Sequence, residues 1–209
     1  LLGIEPFTYS RALMTRPLAI AVLLPCYNES ATIVQVIHQF RQVLPEARIC
    51  VFDNNSTDGS AELARGAGAE VTLVPLQGKG NVVRRMFADI DADIYIMADA
   101  DATYDASRAR ELIAPIASGE VDCVVATRDG TRAAFPAGHV WGNKLFNLIV
   151  GQLFGRHLKD IFSGYRAFSR RFAKSFPAHS EGFEIETELS VYMIEQRIPL
   201  REIPMQYGE

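Results

Sequence analysis

From residue 19 to residue 127 the chain repeats one pattern: a short apolar run, a polar cluster, then a stretch with helical periodicity. Runs of this kind read as strands buried on both faces, and the intervening helices supply the crossovers that parallel strands need. The repetition predicts an α/β fold with a mainly parallel sheet flanked by helices. Strands are expected at 19–24, 48–52, 70–74, 94–98 and 121–127, and helices at 31–44, 60–65, 81–90 and 107–117. In such sheets functional residues gather beyond the carboxyl ends of the strands. Three polar clusters stand at those ends: Pro25-Cys26-Tyr27-Asn28-Glu29, Asp53-Asn54-Asn55-Ser56-Thr57-Asp58-Gly59 and Asp99-Ala100-Asp101.

A chain of 209 residues, 48% of them hydrophobic, has the material for one domain with a large core. Residues 1–18 read as an N-terminal extension without a secretory signal, and 19–209 as the domain. Beyond residue 127 the simple alternation stops, so 128–209 is expected to elaborate the same domain. Residues 140–154 carry Trp141, Leu145, Phe146, Leu148, Ile149, Val150, Leu153 and Phe154 in a helical pattern too short to span a bilayer. Taken alone, such a helix reads as core. Farther on, Ile185, Leu189, Tyr192 and Met193 recur at helical spacing, with Glu184 and Glu188 on a neighbouring face. A net charge of -4 argues against a general nucleic-acid binder. Cys26, Cys50 and Cys123 form no chelating pair and fall in strand-like runs, as reduced, buried cysteines of a cytosolic protein would.

Of the acidic residues between 89 and 105, Asp89, Asp91 and Asp93 read as a solvated face. Asp99 and Asp101 follow a buried strand at once, and residues two apart in extended chain project to one side. Two such carboxylates need a neutralising partner, and hard oxygen ligands suit Mg²⁺ or Mn²⁺. Asp53 also ends a strand, where it either opens an ordinary turn or accepts from the N–H of a uracil or guanine base. Gly78-Lys79-Gly80 before a helix suggests backbone N–H groups exposed to an anion. It is no Walker A motif, because Leu73 stands where glycine is needed and Gly80 follows the lysine. Ser163-Gly164-Tyr165-Arg166 suits phosphate binding through a bidentate guanidinium, though a lone arginine is as readily a salt-bridge residue. Arg128, just past the fifth strand, carries the same two readings. His38, His139, His157 and His179 show no metal-ligand spacing and read as surface or capping residues.

Taken in order, Leu24-Pro25-Cys26-Tyr27-Asn28-Glu29, the Asp53 cluster, Gly78-Lys79-Gly80, Asp99-Ala100-Asp101, Ser163-Gly164-Tyr165-Arg166 and Gly182-Phe183-Glu184-Ile185-Glu186-Thr187-Glu188 resemble family 2 glycosyltransferases of the GT-A fold. Within that family they are most similar to polyprenyl-phosphate glycosyltransferases of the dolichol-phosphate mannose synthase type. The likeness covers 19–207. It implies a nucleotide-sugar half over 19–127 and an acceptor-side half over 128–209. Pro25, Tyr27, Glu29 and Asp53 match residues around the base and ribose, and Lys79 one near the donor. Asp99, Ala100 and Asp101 match the donor diphosphate site, with Asp99 and Asp101 the ligands of Mg²⁺ or Mn²⁺. Thr103 stands where those relatives commonly carry a glutamine, which departs from their third metal contact. Arg128, Ser163, Arg166 and Lys144 match a pocket for the acceptor phosphate. The 140–154 helix matches a membrane-facing segment, which turns its reading from core to interface.

The resemblance implies an inverting hexosyl transfer from a nucleotide sugar, UDP favoured over GDP, to a dolichyl or undecaprenyl phosphate. That acceptor is already anionic near neutral pH, so Arg128 and Arg166 position it and no strong base is needed. Transfer to a sugar hydroxyl instead calls for a carboxylate such as Glu188 or Glu186. A catalytically dead nucleotide-sugar-binding module or a nucleotidyltransferase is the reading from another class, and Asp99 with Asp101 argues against the dead module. The expected partners are the nucleotide-sugar donor, the lipid acceptor and a membrane surface, with no nucleic acid and with a homo-oligomer left open. The expected location is the cytoplasmic face of a membrane, through peripheral binding or segments outside this chain.

Overall fold

A computed structural model describes residues 16–128, 158 and 160–205. The expected helix at 140–154, and Lys144 within it, lie outside the described residues. So does the side chain of Arg128.

The alternation resolves into β1 (Ile20–Cys26), α1 (Ile33–Val43), β2 (Arg48–Asp53), α2 (Ser60–Gly66), β3 (Glu70–Leu73), α3 (Lys79–Asp89), β4 (Ile94–Met97), α4 (Ala109–Ala117) and β5 (Cys123–Arg128). A short 3₁₀ turn, Ala106–Arg108, leads into α4, and Asp105 caps it by accepting from the Ser107 N–H at 2.9 Å. Then come β6 (Arg166–Ser169), α5 (Arg170–Ser175), α6 (Ile185–Glu195) and β7 (Leu200–Met205). The seven strands lie in the order β3-β2-β1-β4-β6-β5-β7. Strands β1 to β4 run parallel to one another, β6 is antiparallel to both β4 and β5, and β7 is parallel to β5.

Period-two alternation divides the strand side chains between two cores. On one face Val22, Leu24, Val51, Ile96 and Val124 meet Ile33, Ile37 and Phe40 of α1 and Leu112 of α4. On the other Leu23, Phe52, Tyr95, Met97 and Phe168 meet Val83, Met86 and Phe87 of α3, Phe172 of α5 and Leu189 of α6. Phe168 and Phe172 stack at 5.1 Å, and Phe87 meets Phe168 edge-on at 5.4 Å. The three cysteines are free and buried, as expected.

After β1 the chain moves outward through β2 and β3, then returns to place β4 on the other side of β1. This reversal opens a crevice beyond the carboxyl ends of the central strands, the usual ligand site of such sheets. Asp93 departs from the solvated reading, since it accepts from the Ala19 N–H at 2.8 Å and from Arg16 and so fixes the entry to β1. Among the described residues no helix is long and apolar enough to cross a membrane.

Candidate active site

The crevice holds a cavity of about 590 Å³ whose lining includes Pro25, Tyr27, Glu29, Lys79, Asp99, Ala100 and Asp101. Three loops that are distant in sequence thus bring together every expected donor-side residue except Asp53, which lies just beneath. Asp53 ends β2 in register with Cys26 of β1, and is 3% exposed. Its Oδ2 accepts from the Ser56 N–H at 3.2 Å, while Oδ1 is buried without a hydrogen-bond partner. An unpartnered buried acceptor is costly, and its place between the cavity-lining Cys26 and Asn54 suits a donor brought by a ligand. Burial, with the Asp53 charge adding to it, pushes the Cys26 thiol up to about 11, so it is inert.

Beyond β4 both oxygens of Asp99 are engaged. Oδ1 accepts from Lys79 Nζ at 2.5 Å and Oδ2 from the Tyr104 hydroxyl at 3.0 Å. Tyr104 in turn accepts from the Gly164 N–H at 3.1 Å. A side chain at Gly164 would collide with Asp99 Oδ2 and stand 2.8 Å from the Tyr104 hydroxyl. That glycine serves close approach of β6's lead-in to Asp99 rather than flexibility. Asp101 is exposed, and its Oδ1 accepts from the N–H and hydroxyl of Thr103 at 3.0 and 2.7 Å. Thr103 therefore orients Asp101. Burial and the nearby Asp101 and Asp99 charges raise the Glu29 carboxyl, despite a hydrogen bond from Thr32.

Lys79 is a cation shared by two carboxylates. Its side chain is 9% exposed, with Nζ 2.5 Å from both Asp99 Oδ1 and Glu186 Oε1. Burial pushes the ammonium's pKa down, but attraction to Asp99 and Glu186 outweighs it and leaves the pKa above the ordinary lysine value. Asn54 fixes the loop that delivers Lys79: its amide donates to the carbonyls of Val74 and Leu76 at 2.9 and 2.8 Å and accepts from the Gly78 N–H at 2.7 Å.

The glycines flanking Lys79 have another role than the expected anion cradle. The N–H groups of Gly80 and Asn81 donate to the Glu181 carbonyl at 2.9 and 3.2 Å. A side chain at Gly80 would come within 2.6 Å of the Ser180 carbonyl carbon, and Gly78 adopts φ +123° against the Glu181 carbonyl. A strap of chain, not an anion, occupies the start of α3. Arg84 holds the same strap through the carbonyls of Ala178, His179 and Ser180.

Two expected roles need correction. Arg166 begins β6, an interior strand, in register with Met97 on one side and Val125 on the other. It is fully buried, so it does not stand open to an acceptor phosphate. Its guanidinium donates to the carbonyls of Ser163 and Ile161, both at 2.6 Å, to that of Glu186 at 3.3 Å and to the Ser190 hydroxyl at 2.9 Å, with Nη1 unpartnered. Desolvation lowers its pKa, against the pull of Glu186 and Asp160. Ser163 is buried beside it and accepts from the Tyr165 N–H at 3.2 Å. Glu188 is also committed: its two oxygens accept from the N–H groups of His179 and Ser180 at 2.8 and 2.7 Å. Burial pushes that carboxyl up, but the Ser180 and His179 hydrogen bonds outweigh it and hold it below the usual range. Glu188 ties down the strap, and the carboxylate at the Asp99 cluster is Glu186. Gln77 also lines the cavity, as do Asn54 and Phe183, which belong to the motifs but carry no expected role of their own.

Among the described residues no group of three or more His, Cys, Asp or Glu side chains converges as a metal site. Asp99 and Asp101 offer two carboxylates, and both Thr103 bonds fall on one oxygen of Asp101. Mg²⁺ is commonly held by one or two carboxylates with substrate phosphates and water. The pair therefore fits a cation that arrives with a diphosphate better than a permanent one.

The family model for glycosyl transferase family 2 matches residues 21–176. The chain belongs to this family. Protein RfbJ of Shigella flexneri is 54% identical over 122 residues, 57% of this chain and 95% of RfbJ. Glycosyltransferase AglJ of Haloferax volcanii is 37% identical over 197 residues, 93% of this chain but 64% of AglJ. The dolichyl-phosphate beta-glucosyltransferase of Saccharomyces cerevisiae is 27% identical over 91% of this chain and 67% of its own. Glucosyl-3-phosphoglycerate synthase from Mycobacterium tuberculosis, solved with Mn²⁺, UDP and glucosyl-3-phosphoglycerate, superposes with a TM-score of 0.76 at 23% identity, covering 92% of this chain and 72% of that one. The likeness fixes the fold as GT-A.

Proposed function

We propose that this glycosyltransferase is inverting, takes a UDP-sugar donor with Mg²⁺ or Mn²⁺, and passes the sugar to a polyprenyl phosphate. The observation that carries the donor reading is that Asp99, Asp101 and Lys79 line one cavity together with Tyr27, Cys26 and Asn54, and that Asp53, in register with Cys26 and next to Asn54 in sequence, has an unpartnered buried oxygen. Asp53 accepts from the base. Lys79 turns from Asp99 to the diphosphate as a compact point charge. A divalent cation between Asp99, Asp101 and the diphosphate would stabilise the charge left on the departing nucleoside diphosphate. The UDP of the Mycobacterium tuberculosis synthase supports that choice of nucleotide, and the yeast relative's name supports a lipid phosphate.

A second reading rests on Glu186. It pairs with the cavity-lining Lys79, so a sugar-hydroxyl acceptor would find there the base it needs once Lys79 has moved to the diphosphate. Incubation with UDP-glucose, Mn²⁺ and either undecaprenyl phosphate or a free disaccharide tests both. UDP release with a glycosylated lipid supports the first reading. Transfer to the disaccharide alone, abolished by Glu186→Gln, favours the second. Release of pyrophosphate would overturn both.

A further inference from the structure

Among the described residues Phe183 is the most exposed of the large apolar side chains, at 77%, and it lines the cavity. Flexible loops often leave such a ring outside, but the backbone next to this one is hydrogen-bonded on both sides. The backbone before it is held by Glu188 at His179 and Ser180, by Arg84 at Ala178, His179 and Ser180, and by Gly80 and Asn81 at Glu181. Behind it the Gly182 N–H donates to Glu184 Oε1 at 3.2 Å, and the Phe183 carbonyl accepts from the Glu186 N–H at 3.3 Å. The fold thus spends a fixed backbone on holding an aromatic ring in water. Burying such a ring is ordinarily worth about 1.5–3 kcal/mol, and here the packing begins only two residues later with Ile185.

The ring's place in the cavity says what it would meet. Its centre lies 6.0 Å from Lys79 Nζ, which is itself 2.5 Å from Asp99 Oδ1 and from Glu186 Oε1. It stands beside the Lys79 and Asp99 charges, where on the reading above a diphosphate would lie. The group that follows a diphosphate in a nucleotide sugar is the sugar. A pyranose has one face of C–H groups, which an aromatic ring covers with apolar contact while the hydroxyls keep their own partners. From this, and resting on the nucleotide-sugar reading above, we propose that Phe183 is the platform on which the transferred sugar stacks, and so a specificity-determining residue for the donor.

The test compares two ligands that differ only in the sugar. Calorimetric affinities for UDP and for UDP-glucose, each with Mn²⁺, are measured on wild type, Phe183→Ala, Phe183→Leu and Phe183→Trp. We expect Phe183→Ala to weaken UDP-glucose about tenfold, equivalent to about 1.4 kcal/mol, and to leave UDP within about twofold. Phe183→Leu should lie between, and Phe183→Trp should keep most of the affinity. Melting temperatures should not fall, because the ring is outside the core. Equal weakening of both ligands would overturn the proposal by placing the ring against the nucleoside. Unchanged binding of both would overturn it by removing the ring from the donor, and loss of folding in the Ala and Leu variants would make the ring structural. Wild type that binds neither UDP nor UDP-glucose refutes the UDP-sugar reading itself, a result distinguishable from any of these.

Discussion

Replacing Lys79 by methionine removes the one positive charge between Asp99 and Glu186 while keeping most of the apolar stem. Nζ is 2.5 Å from each carboxylate, and the two partners are 25% and 13% exposed. Deleting one member of a well-buried ion pair costs about 3–5 kcal/mol, because the surviving charge keeps its desolvation penalty and loses its partner. Partial exposure of Asp99 lets water repay some of that, so we expect a loss of about 2–4 kcal/mol at pH 7. For a domain of this size, each kcal/mol lowers the melting temperature by about 2–4 °C. The assay is urea and thermal unfolding followed by circular dichroism, with and without millimolar Mn²⁺. Without the ammonium, Mn²⁺ added alone should stabilise Lys79→Met more than it stabilises wild type, since it meets a carboxylate pair with no resident cation. A variant within about 0.5 kcal/mol of wild type, or one that Mn²⁺ stabilises no more than wild type, would refute the shared-cation account.

Asp101→Asn should fold normally, the side chain being exposed, yet lose Mn²⁺-dependent binding of UDP; full binding by the variant, or by wild type in excess chelator, would remove the metal from the reading. Glu188→Gln tests a pH dependence. The folded carboxyl is held below its unfolded value of about 4.3, so its contribution is present above that pH and disappears as pH falls through the folded pKa. The variant should be about 1–3 kcal/mol less stable than wild type at pH 7, with the two curves converging as acid protonates the folded carboxyl; a gap that stays constant until both proteins unfold in acid would contradict this. Arg166→Met should lose about 3–5 kcal/mol by removing two charge-assisted hydrogen bonds to the carbonyls of Ile161 and Ser163, and Arg166→Lys should recover part. Normal melting of Arg166→Met with loss of lipid transfer alone would return the arginine to the acceptor.

How much of this was legible in the sequence differs by half. The parallel strands β1 to β4 and their helices could be read within a residue or two, because each is an uninterrupted apolar run or a clear amphipathic period. Asp99, Asp101, Lys79, Pro25, Tyr27 and Glu29 were legible by position, since strand ends in such a sheet converge. Strand β6 was not. Arg166-Ala167-Phe168-Ser169 opens on a charge and offers two apolar residues, and nothing local says that both its edges will be covered. Arg166 was consequently taken for a ligand when it is an interior brace. The roles of Gly80 and Gly164 were equally hidden, because each depends on a segment far away in sequence, Ser180 with Glu181 in one case and Asp99 in the other. Glu186 and Glu188 have the same chemistry two residues apart, on different faces of one helix, and only the folded strap shows that Glu188 is committed to it while Glu186 meets Lys79.

The antiparallel insertion has a consequence for how the two halves share the work. Division into a nucleotide half and an acceptor half would let the first bind donor unaided. Yet Gly164 backs Asp99, Glu186 pairs with Lys79, the 178–182 strap occupies the start of α3, and Phe183 lines the cavity. Arg166 ties these parts into one unit by joining the carbonyls of Ile161 and Ser163 to Glu186 and Ser190 of α6. Such a clamp works only if the strand, the helix and the strap form together, because a guanidinium buried with any of those partners missing is a desolvated charge without compensation. The donor site is therefore a property of the completed sheet, and β6 is the element on which both halves of that site depend.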